Sequence, residues 1–178
     1  MPLSRVSRVS RLCIVACVAL AACSPSLDWR EVRPVGAGVL ALFPCRPAQD
    51  VRVVALAGSP LTMNLQSCQA AGATFALSVT DAQDPARVAA TLDALRVAAA
   101  GNLGGTPVVA AAAAVSGMTP NPLAQRVRVD GRFPDGTQVR QELLFFVKGT
   151  VVYQATVLGA RVDASAVDTF FEGLKLAV

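Results

Sequence analysis

Between Gln125 and Leu158 the sequence leaves the backbone few choices. Val127 and Val129 alternate with Arg126, Arg128 and Asp130, so one side of an extended chain is apolar and the other charged. Pro134-Asp135-Gly136 then supplies a turn, with proline fixing φ, aspartate bonding the local backbone and glycine accepting a positive φ. Thr137 to Val147 returns as a strand ending in Leu143-Leu144-Phe145-Phe146-Val147. Lys148-Gly149 turns the chain again into Val151 to Leu158. The pattern predicts a three-stranded antiparallel meander with polar tips and a buried middle.

A second group of strands precedes it. Val39 to Phe43 is a short apolar run stopped by Pro44, and Val51 to Ala57 is a Val-rich run ended by Gly58-Ser59-Pro60. Leu61, Met63 and Leu65 alternate with Thr62, Asn64 and Gln66, the period of a half-buried strand. Ala71-Gly72 turns the chain into Ala73 to Thr80. Asp84-Pro85 is a helix start, with aspartate as N-cap and proline at the first helical position. Val88, Leu92, Leu95 and Ala99 then share one face, and Gly104-Gly105 ends the helix. Val108 to Val115 is open between strand and helix, and Met118 to Pro122 reads as a loop. Near the end, Asp163 or Ser165 caps a helix whose Val167, Phe170, Phe171 and Leu174 fall on one side. The expected class is α+β: a mostly antiparallel sheet of roughly six to eight strands in two meanders. A helix at about 85–103 and a short C-terminal helix at about 164–173 pack it.

Composition limits the chemistry. Of 178 residues, 53% are hydrophobic, but 32 are Ala and 26 Val, so a modest set of Leu, Phe and Val must fill the core of one domain. Low charge with high apolar content excludes disorder for the bulk of the chain. Histidine is absent, which removes the commonest acid/base and metal ligand together. A serine nucleophile would need a lysine base, and the only lysines are Lys148 in a turn and Lys175 near the C-terminus. Glu31, Glu142 and Glu172 are scattered, and Asp81 and Asp84 flank a helix start, where capping accounts for at least one. Gly101-Asn102-Leu103-Gly104-Gly105 follows a helix, the wrong end for a phosphate loop. No catalytic, cofactor or metal site is expected.

The first segment reads as an address. Arg5, Arg8 and Arg11 precede an apolar run from Leu12 to Ala22, too short to span a bilayer as a helix. A basic start and a short apolar stretch make a signal peptide, the alternative being a short anchor that is never cut. Leu20-Ala21-Ala22-Cys23 resembles the bacterial lipobox, the motif read by lipoprotein signal peptidase. That resemblance implies removal of residues 1–22, a diacylglycerol on Cys23 and acylation of the new amine. Several chains on one residue make durable an attachment that one acyl chain holds only marginally. Ser24, in place of the aspartate that retains such proteins at the inner membrane, implies the periplasmic face of the outer membrane. Without Arg5, Arg8 and Arg11 the sixteen basic residues fall to thirteen against twelve acidic ones, so net charge offers no argument for a nucleic-acid partner or for a basic membrane-binding surface. Residues 23–38, rich in Ser, Pro and Gly, read as a lipidated tether, part of which Leu27, Trp29 and Val32 could dock. Trp29 reads as packing the tether down rather than stacking on a ligand. The globular domain is expected over 39–178.

Five cysteines sort by position. Cys13 and Cys17 fall in the signal and Cys23 is the lipid site, which leaves Cys45 and Cys68 as an even pair in an exported protein. A structural disulfide is expected, since a metal site lacks further ligands and the pair is not Cys-x-x-Cys. Arg126, Arg128, Arg132 and Arg140 form the only basic cluster, interleaved with Asp130, Asp135 and Glu142. Two readings stand: a solvated sheet face with cross-strand ion pairs, or a face for an anionic partner through Arg126, Arg128 and Arg140.

The order of elements adds a second resemblance. Leu42-Phe43-Pro44-Cys45-Arg46-Pro47 is similar to the "FPGxP" start of many exported bacterial domains, with Cys45 where glycine is usual. Val147 to Ala155 resembles their hydrophobic hairpin ending in Tyr-Gln. Phe170 to Leu176 resembles their terminal "FxxSFKL", with Gly173 in place of serine. Together these imply an α/β/α sandwich similar to the photosystem protein PsbP and the Ran-binding Mog proteins, a likeness of fold without a shared activity. The functional expectation is a lipid-anchored, non-enzymatic envelope protein that binds or scaffolds an envelope partner. A small-ligand-binding module is the alternative, and a hydrolase a more distant one.

Overall fold

The computed structural model describes residues 27–176. The segment expected as a signal peptide, and the expected lipid site Cys23, lie outside the described residues. Two antiparallel sheets, of seven and three strands, and two helices make an α+β fold, as the sequence leads one to expect. The strands are β1 (Arg30–Val32), β2 (Val39–Phe43), β3 (Ala48–Leu56), β4 (Ser59–Ala70), β5 (Ala73–Asp81), β6 (Pro107–Ala112), β7 (Gln125–Arg132), β8 (Gln138–Lys148), β9 (Val151–Gly159) and β10 (Lys175–Leu176). The helices are α1 (Val88–Leu103) and α2 (Ala164–Glu172).

The large sheet runs β3-β4-β5-β9-β8-β7-β6. Two meanders, β3-β4-β5 and β7-β8-β9, are joined where β5 pairs with β9, Leu77 opposite Ala155. Side chains alternate across this sheet and feed two separate cores. One face carries Phe75, Leu77, Phe146, Tyr153, Ala155 and Val157, which pack with α2 and the small sheet. The other carries Val127, Val129, Leu143, Phe145, Val147 and Val152, which pack under α1.

Local chemistry sets the helix ends. The Asp84 carboxylate accepts a 2.8 Å hydrogen bond from the Ala86 N–H and caps a short 3-10 turn, Pro85–Arg87, that leads into α1. Val88, Leu92, Leu95, Ala99 and Leu103 form the buried stripe of α1. Gly104 closes it at φ 60°, a left-handed conformation that glycine adopts without a steric penalty. At α2 the cap is Asp163, whose carboxylate accepts from the Ala166 N–H at 2.8 Å.

The structure adds to the sequence reading in three places. Residues 108–115, left open between strand and helix, begin in β6, an exposed edge strand paired with β7. The Val-rich run expected from Val51 starts at Ala48 and forms the opposite edge, so most of it is exposed. The segment expected as tether is seated in the fold from Leu27 onward. Leu27, Trp29 and Val32 pack on the α2-side core, and the Asp28 N–H donates to the Pro44 carbonyl at 2.8 Å. Arg30–Val32 pairs with β2, while β10 takes the other side of β2, so the three strands share their main-chain hydrogen bonds.

Candidate functional site

The charged side of β7 forms a band beside α2. Arg126, Arg128, Asp130 and Arg132 alternate along one face of the strand, and β8 sets Glu142 opposite Arg128 and Arg140 opposite Asp130. At one end of the band Glu142, a residue 9% exposed, sets its carboxylate between two guanidinium groups. Arg126 Nε is 3.6 Å from its Oε2 and Arg128 Nε 3.6 Å from its Oε1, contacts of ion-pair rather than hydrogen-bond length. Arg126 also donates from Nη1 to Asp168 Oδ1 on α2 at 2.7 Å, and its guanidinium sits 5.3 Å from the Phe171 ring centroid. These contacts hold α2 to β7.

Arg140 does not join that group. Its Nε donates to Asp130 Oδ1 at 2.8 Å, and this bond holds the guanidinium pKa above its ordinary value. The pair lines a different feature, a solvent-open cleft of about 1140 Å³ at the end of the large sheet. Arg132, Arg161 and Asp163 line the same cleft, with Gly104 beside them. Both acids are engaged: Asp130 with Arg140, and Asp163 with the Ser165 hydroxyl at 2.6 Å and the Ala166 N–H. Those two bonds, the hydroxyl's first, keep the Asp163 carboxyl below its usual range. Arg132 donates one bond, from Nη1 to the Gly136 carbonyl at 3.2 Å. Arg161 is exposed. The cleft thus presents three arginines against two carboxylates that are already occupied.

Arg126, Arg128 and Arg140 project from one face of the sheet but pair with different carboxylates: Arg126 and Arg128 meet at Glu142, and Arg140 pairs with Asp130 at the cleft. Arg161 and Asp168 escaped the sequence reading because only the turn from β9 into α2 brings them to β7, far along the chain. Among the other residues weighed for chemistry, Asp84 caps the turn before α1 and the Asp81 carboxylate accepts from the Gln83 N–H at 2.8 Å. Among the described residues no group of three or more His, Cys, Asp or Glu is gathered for a metal ion, and no helix is long and apolar enough to cross a membrane.

Cys45 and Cys68 form a disulfide with their Cα atoms 6.0 Å apart. The bridge ties the chain leaving β2 to β4, and so joins the two sheets. No protein-family model matches the chain, and no curated protein matches it either.

Proposed function

We propose that this chain is a lipid-anchored protein of the bacterial cell envelope whose domain binds a partner rather than catalysing a reaction. The observation that carries the reading is the tetrad Leu20-Ala21-Ala22-Cys23 behind a basic start and a short apolar run. The Cys45–Cys68 disulfide supports it, because such bridges form and persist in oxidising compartments outside the cytoplasm. Ser24 after the lipid site favours the periplasmic face of the outer membrane. A likeness to the PsbP and Mog sandwich belongs to the same reading; it is supported by helices packed on opposite faces of the large sheet.

The open Arg132–Arg140–Arg161 cleft favours a second reading, a module for a small anionic ligand. Crosslinking in intact cells, followed by purification from washed membranes, separates the two. An envelope protein recovered repeatedly, and lost when the domain surface is altered, supports the first. Recovery of the free monomer alone, together with saturable binding of a small anion, supports the second.

A further inference from the structure

The cleft and the chain's entry into the fold lie at the same end of the large sheet. A continuous row of paired residues crosses that end: Ala70 opposite Ala73, Ala73 opposite Gly159, Gly159 opposite Arg140, and Arg140 opposite Asp130. Ala70 and Arg140 are three strand spacings apart, roughly 14 Å. Two residues before Ala70 stands Cys68, bridged to Cys45, and Leu27, Trp29, Cys68 and Ala70 all pack on one core. Trp29 meets Phe75 edge to face, with ring centroids 6.3 Å apart. The side of the sheet is shared as well. Arg132 and Arg140 project from the same face of the sheet as the β1 and α2 layer.

Chain length then restricts the domain. Leu27, already docked, follows Cys23 by four residues, and four residues span at most about 14 Å even when fully extended. A domain tied to a bilayer by lipid on Cys23 cannot stand far from it. The end that carries Leu27 stays within about 14 Å of the lipid, a reach that lets the arginine cleft turn onto the headgroups, where charges interact within a screening length of about 10 Å.

We propose that the cleft lined by Arg132, Arg140 and Arg161 docks the anionic headgroups of the membrane that carries the protein. The proposal rests on the lipid-anchor reading for its geometry. Arg140, neutralised by Asp130, fixes the cleft wall, while Arg132 and Arg161 supply the attraction. The expected contribution is about fivefold in affinity for each of these two arginines, the typical effect of one basic residue at an anionic surface.

The test reconstitutes the full protein as cells make it on phosphatidylcholine vesicles with and without phosphatidylglycerol, and follows amide hydrogen exchange. Docking predicts slower exchange at residues 130–140 and 160–163 on the anionic vesicles, lost at high salt and in an Arg132→Gln/Arg161→Gln variant. Both substitutions are at solvent-facing positions, and unchanged protection of residues 142–148 in β8 and of β9 shows that the variant is folded. Equal exchange on both vesicles by a protein that stays bound through its lipid overturns the proposal and leaves the anchor intact. A protein that carries no lipid fails the anchor reading instead. Its capture by phosphatidylglycerol but not phosphatidylcholine vesicles would still support the cleft, and its absence from both would overturn it. Protection by dissolved inorganic phosphate with none on anionic vesicles also overturns it, marking a small-anion site.

Discussion

Cys45 and Cys68 clamp the three-stranded sheet to the seven-stranded one at the end where the chain enters the fold. The covalent loop encloses β3 and most of β4, a sequence separation of 23 residues. Closing a loop of this size removes freedom mainly from the unfolded chain. Replacing both cysteines with alanine should lower unfolding free energy by about 3 kcal/mol, read from urea denaturation of the two proteins. Reduced native protein should unfold at nearly the same midpoint as the variant. Coincident curves for oxidised and reduced protein would show that the bridge does not constrain this loop.

The α1–β7 contact has no room for a methyl group. A Cβ at Gly131 would lie 2.3 Å from the Leu103 carbonyl oxygen and 2.7 Å from the Leu103 Cβ, so Gly131→Ala should cost roughly 1–3 kcal/mol. Gly101 differs. It sits within α1 with nothing within 4 Å of a new Cβ, and Gly101→Ala should stabilise by about 0.5–1 kcal/mol. Thermal unfolding of the two variants should move in opposite directions, and a shift of the same sign in both would contradict the contact.

Tyr153 ties the large sheet to the N-terminal arm. Its hydroxyl donates to the Ala37 carbonyl at 2.8 Å, and its ring stacks on Phe146 at 4.8 Å. Tyr153→Phe should cost about 1–2 kcal/mol at neutral pH, because the buried Ala37 carbonyl loses its donor. Burial also holds the phenol pKa above its ordinary 10.0. The unfolded chain therefore ionises first as pH rises. The folded state keeps its full advantage below pH 10.0 and loses it as pH climbs through the higher folded value. Stability measured across alkaline pH should fall more steeply in the native protein than in Tyr153→Phe; parallel curves would contradict the burial.

Glu142 separates two cations. Glu142→Gln removes the charge that Arg126 and Arg128 share, at a site between fully exposed and fully buried, and should cost about 1–2 kcal/mol. A double-mutant cycle with Arg128→Gln isolates the pair, and zero coupling energy would leave the ion pair without a role in stability.

The sequence disclosed most clearly what is local. Gln125–Leu158 was legible because period-two alternation, turn residues and buried Phe145 and Phe146 all agree. Asp84 and Asp163 marked their helix starts because an N-cap acts within three residues. Non-local pairing hid the rest. Arg30-Glu31-Val32 has no periodicity of its own and becomes a strand only because β2 offers a partner. The Ala-rich run at 107–112 carries no alternation, and pairing with β7 decides it. The candidate cleft was the least legible part, since Arg132 and Arg161 belong to different elements and only the strand order sets them together.

Lipid on Cys23 is the claim from which the membrane placement of the domain follows, and mass spectrometry of the N-terminal peptide of the mature protein tests it directly. The peptide should begin at Cys23 and carry a diacylglycerol and an amide-linked acyl chain, and Cys23→Ala should abolish incorporation of labelled palmitate. A mature protein whose Cys23 bears no lipid, or a Cys23→Ala variant labelled as strongly as the native chain, would contradict it.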